Sequence, residues 1–116
     1  MRGKPKIIPA YPSEDLDAEG YPTDEALEFI AKFNLNKFST RLLVMYVSSI
    51  WKYLPDDFSI KYKRKVNLST YGWSGNEDII EALRRNLLFW SYCYHSHTTG
   101  GHWTFRLREF AKTKNQ

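Results

Sequence analysis

The sequence predicts an α+β domain in the order α-α-β-β-α-β, with the helices on one face of a small sheet. Three observations predict it. Apolar residues recur at helical spacing over residues 24–54 and again over 75–94. Between these stretches, and once more over 102–108, the apolar period drops to two. Pro and Gly mark the changeovers, at Pro22, Pro55, Gly72, Gly75, Gly100 and Gly101.

Taken in order, residues 1–20 read as a flexible acidic, Pro-rich arm. Pro5, Pro9, Pro12 and Gly20 interrupt any period, and Glu14, Asp15, Asp17 and Glu19 cluster without apolar spacing. Ile7, Ile8 and Tyr11 give this arm apolar handles for docking. A single globular domain is expected over 21–111, followed by a disordered tail at 112–116.

The first helix is expected over 24–33. Thr23 is its N-cap, Asp24 and Glu25 favour its positive end, and Ala26, Leu27, Ile30 and Phe33 form its stripe. The second is expected over 40–54, with Leu43, Val47, Ile50, Trp51 and Leu54 on one face and Pro55 forbidding continuation. Residues 58–71 alternate and read as two short antiparallel strands turning near Lys63-Arg64. Ser74 and Glu77 then match a capping box, opening a long helix over 75–94 whose second half is apolar nearly all round. Thr98, Thr99, Gly100 and Gly101 make a turn. In the last strand Trp103, Phe105 and Leu107 point inward, while His102, Thr104, Arg106 and Arg108 point outward.

Composition narrows the function classes. The 116 residues suit one core, with 42% hydrophobic and 26% charged residues. Cys93 is the only cysteine, so no internal disulfide can form, and the N-terminus lacks a signal-peptide pattern. Both predict a cytoplasmic protein. The apolar runs at 42–47 and 87–90 are too short to span a bilayer. The net charge of +4 is uneven: residues 1–60 carry seven Lys/Arg and nine Asp/Glu, and residues 61–116 carry ten and four. The basic second half suits an anionic partner. Aromatic residues reach 16%; large rings help to fill a small core with a few left at its edge, and an excess of them also suits a binding surface.

Four constellations could carry chemistry. The loop at 72–76 exposes backbone N–H groups before a helix, as anion sites do, but it lacks G-K-[ST] and Glu77 competes for those groups. Cys93, His95, His97 and His102 supply imidazole and thiolate suited to zinc, provided the loop turns all four inward. The same cysteine beside a histidine, or the pair Asp56-Asp57, could serve nucleophilic or acid–base catalysis, although the apolar surroundings of Cys93 disfavour its thiolate. Lys61, Tyr62, Lys63, Arg64 and Lys65 interleave cations with a ring, as single-strand nucleic-acid binders do, and Arg84, Arg85, Arg106 and Arg108 could extend that patch.

Gly72-Trp73-Ser74-Gly75-Asn76-Glu77, followed by Phe89-Trp90 and Gly100-Gly101-His102, resembles a group of small uncharacterised bacteriophage and bacterial proteins. The resemblance covers about residues 21–108 and implies a phage or mobile-element protein that binds a host macromolecule. It implies no activity, cofactor or catalytic residue.

With no complete catalytic constellation, the expectation is a non-enzymatic protein-binding module without a cofactor. Its contacts are expected at Tyr71, Trp73 and His102, beside the loops that flank the long helix. Nucleic-acid binding through residues 61–65 is the alternative, and a metal- or thiol-dependent enzyme is third.

Overall fold

A computed structural model describes residues 8–55, 58, 60 and 64–109. The fold is α+β, and among the described residues four helices pack against a three-stranded antiparallel sheet. The elements run α1 (Asp24–Ala31), α2 (Thr40–Ile50), β1 (Lys65–Ser69), α3 (Ser74–Arg85), α4 (Leu87–Cys93), β2 (Tyr94–Thr98) and β3 (His102–Arg106). Strand order is β1-β3-β2, so the last strand is central.

The two N-terminal helices form as their caps dictate. Thr23 accepts a hydrogen bond from the Ala26 N–H at 3.0 Å, and Ser39 accepts one from the Leu42 N–H at 3.1 Å. α2 stops at Ile50, short of the expected Leu54. Trp51 turns into extended backbone and sinks into the core, where its indole N–H donates to the Ser69 carbonyl at 3.0 Å.

The long helix is two helices. Asn86 breaks it: its carboxamide oxygen accepts from the Phe89 N–H and caps α4, while its NH2 donates to the carbonyls of Ile30 and Phe33 at 3.0 and 3.1 Å. Both carbonyls lie at or just past the end of α1, where the helix supplies few donors, and one buried amide bonds the two. The expected capping box does not form. Trp73 occupies the N-cap position without a side-chain bond, Ser74 is already helical, and the Glu77 carboxylate accepts from the Thr70 hydroxyl at 3.4 Å.

Pairing also differs from the expected hairpin over 58–71. β1 pairs with β3, Val66 opposite Phe105 and Leu68 opposite Trp103. Phe58 and Ile60 lie outside every strand, and Lys63 of the expected turn lies outside the described residues. The hairpin that does form joins β2 to β3 through Thr99, Gly100 and Gly101, with both glycines at positive φ. It takes up residues 94–98, where the sequence suggested a helix end and loop.

Residues 8–20, read as part of a free arm, lie against α1 and α2. Pro9 is buried, and the Tyr11 ring sits 5.4 Å from Phe29 and 5.9 Å from Tyr46. Ser13 donates through its backbone N–H to Glu25, and the Tyr46 hydroxyl donates to Asp15 at 2.7 Å. The docking handle offered by Tyr11 is therefore used within the chain. The core between helices and sheet is filled by Ile30, Leu43, Val66, Leu83, Phe89 and Phe105. No helix among the described residues is long and apolar enough to cross a membrane.

Candidate functional site

Two loops meet at one end of the core, one leaving α2 and the other joining β1 to α3. Each carries an exposed tyrosine in the left-handed region: Tyr53 at φ 67° with 60% exposure, and Tyr71 at φ 55° with 57% exposure. A side chain with a Cβ is disfavoured there. The two rings nevertheless touch edge to face, 6.0 Å apart at 82°, and with Leu54 they line an open depression of about 610 Å³.

Asn76, fully buried in the first turn of α3, holds both loops. Its carboxamide oxygen accepts from the Lys52 N–H at 3.0 Å. Its NH2 donates to the Lys52 carbonyl at 2.9 Å and to the Thr70 carbonyl at 3.4 Å. Lys52 immediately precedes one strained tyrosine and Thr70 the other. The indole of Trp51 bonded to Ser69 ties the same loops one residue further out on each. Thr70 is itself fixed, its N–H donating to the Gly101 carbonyl at 2.9 Å.

Trp73 borders this patch and is half-buried. Its ring packs on Tyr21 at 4.7 Å and lies beneath the Lys52 ammonium at 4.6 Å. Gly75 permits that pose, because a Cβ there would run into the Trp73 ring. The same ammonium lies 5.4 Å from the Tyr53 ring. The result is a polarised aromatic surface: two tyrosines outward, a tryptophan edge behind them, and one cation stacked between.

Of the expected contact residues, Tyr71 and Trp73 are thus brought together. His102 is not with them; it points outward on β3, with Nδ1 2.7 Å from the Ser69 hydroxyl. Sequence reasoning missed Tyr53, Lys52 and Asn76. The first two fell inside an overlong second helix, and Asn76 looked like an ordinary loop residue.

The metal and thiol constellation does not converge. Cys93 is buried, and burial pushes its thiol pKa up, away from the reactive thiolate. His95 contacts Ser96, and His97 stacks on Trp103 at 4.4 Å while bonding the Tyr94 hydroxyl. His102 faces the opposite side of the sheet from His97, as the strand register requires. Among the described residues no group of three or more His, Cys, Asp or Glu is arranged to hold a metal ion. Asp56 and Asp57 lie outside the described residues.

Among the described residues the expected basic side chains do not gather into one patch. Lys61, Tyr62 and Lys63 lie outside the described residues. Arg64 pairs with Glu109 at 3.7 Å and Arg85 with Glu28 at 3.7 Å. Arg84 stacks over Trp90 at 4.7 Å, on the helix side of the sheet, whereas Arg106 points out from the other side.

No family model matches the chain, and neither a curated protein nor a solved structure is significantly similar to it.

Proposed function

We propose that the protein is a non-enzymatic binding module that recognises a protein partner through Tyr53, Tyr71 and Trp73. One observation carries this reading: two adjacent exposed tyrosines are both held in a backbone conformation that disfavours any side chain. Strain of this kind costs stability and persists only where surrounding structure enforces it, which is the pattern of binding sites. Asn76 supplies the enforcement. Tyrosine and tryptophan are also the side chains most enriched in binding hot spots, because they bury large rigid area with little entropy loss. The resemblance to small phage and bacterial proteins adds the expectation that the partner is a macromolecule of the host.

The test is affinity capture by the tagged protein from nuclease-treated lysate of its host, alongside the Tyr53→Ala/Tyr71→Ala variant. A stoichiometric protein retained by the native chain and lost by the variant, with an unchanged thermal melt, is the expected result. Equal recovery by the variant would remove these tyrosines from the interface.

A further inference from the structure

Alternation along a strand sends successive side chains to opposite faces. In this sheet one face carries Val66, Leu68, Trp103 and Phe105 toward the helices. The opposite face is wholly polar along β1 and β3. Its cross-strand pairs are Lys65 with Arg106, Asn67 with Thr104, and Ser69 with His102.

The first pair sets two like charges directly opposite each other, an arrangement that destabilises a sheet. Neither cation has a carboxylate partner among the described residues. Residues 58–76 and 82–108 contain no Asp or Glu and carry eight Lys and Arg between them; Glu109, the carboxylate next along the chain, is engaged by Thr40 and Arg64. An anion lying across the two strands would relieve this repulsion. The other two pairs supply polar groups further along the same face. The Thr104 hydroxyl donates to Asn67 Oδ1 at 2.9 Å, which leaves the Asn67 NH2 without a protein acceptor among the described residues. His102, bonded through Nδ1, keeps its second ring nitrogen for a ligand.

We propose that this outward sheet face binds a single-stranded nucleic acid through its phosphates. One rung of paired cations, followed along the strands by neutral polar groups, offers two phosphate contacts and hydrogen-bonding positions beside them to an extended phosphodiester chain. A flat sheet face also suits a single strand better than a duplex, whose major groove admits a helix or a narrow two-stranded ribbon. This surface is distinct from the tyrosine patch, and it uses only Lys65 of the 61–65 run.

Fluorescence anisotropy with a labelled oligothymidine of about 20 nucleotides tests the proposal, at roughly 50 to 200 mM salt. The native chain is expected to bind at the low end and to weaken steeply with salt. Lys65→Glu/Arg106→Glu should lose at least about tenfold in affinity, and its dependence of log K on log salt should be shallower by about 1.4, two phosphate contacts' worth. If that reversal disturbs folding, Lys65→Gln/Arg106→Gln carries the test, with an expected loss of severalfold. Tyr53→Ala/Tyr71→Ala should keep full oligonucleotide affinity, so failure of the tyrosine reading and failure of this one are separable. No binding by the native chain at low salt, unchanged affinity in the folded charge variant, or preference for a duplex of equal length would each overturn the assignment.

Discussion

A tyrosine held at positive φ loses about 1 kcal/mol against glycine at the same position. Tyr53 and Tyr71 both accept that cost. Tyr71→Gly should therefore leave the domain as stable or more stable, by up to about 1 kcal/mol in urea unfolding, while weakening partner capture. A variant that loses both stability and capture would mean that the ring serves packing. Asn76→Ala should act in the opposite way. It leaves the Lys52 N–H and carbonyl without this partner, while the Thr70 carbonyl keeps the Trp73 N–H, so a loss of about 2–3 kcal/mol is expected. At this scale the sequence was half legible. Tyr71 and Trp73 flank Gly72, whose turn chemistry advertises an exposed corner. Asn76 gave no such signal, because a polar residue in a first helical turn looks the same whether it faces water or is buried and pins two loops.

Elements were legible where one local signal dominated. Thr23 announced α1, and the alternation of Trp103, Phe105 and Leu107 announced β3. They were misread where a distant partner decided. Residues 75–94 carry one continuous helical stripe, yet Asn86 is recruited by carbonyls more than fifty residues away and splits it. Asn86→Ala removes both those bonds and the α4 cap, so a destabilisation of about 2–3 kcal/mol is expected in chemical unfolding. A larger helical signal with no loss of stability would show that the break is incidental. β2 escaped notice for a related reason. It is an edge strand of mixed polar residues with a bulge near His95, and only its pairing with β3 defines it. The turn beside it also has a specific requirement. Gly101 has φ 84°, and a Cβ there would collide with the Thr70 hydroxyl. Gly101→Ala should consequently lower the melting temperature by several degrees, matching about 1–3 kcal/mol of strain. If the melt is unchanged, the hairpin must re-form with a different turn.

At the scale of the whole molecule, two groups among the described residues that ionise in alkali, the Cys93 thiol and the Tyr46 phenol, are buried in their neutral forms. Burial raises the Cys93 thiol above its ordinary 9.0. Burial, then the hydrogen bond to Asp15 and the charges of Asp15 and Glu25, raises the Tyr46 phenol above its ordinary 10.0. When a folded-state pKa lies above the unfolded one, the unfolded chain releases its proton first as pH rises. The stability these groups contribute is thus fully present below pH 9 and is lost progressively above it. Each group can add a slope of at most about 1.4 kcal/mol per pH unit. The thiol acts first and the phenol about one unit later, in the order of their ordinary values. Urea unfolding at a series of pH values between roughly 8 and 11 reads this directly. Cys93→Ala should lower stability at every pH through the cavity it leaves, yet flatten the decline where the thiol would ionise. Tyr46→Phe should flatten the later part, and it also releases Asp15 of the docked N-terminal segment. A decline of equal steepness in both variants would place the alkaline sensitivity elsewhere, in the lysine and arginine charges rather than in these two buried groups.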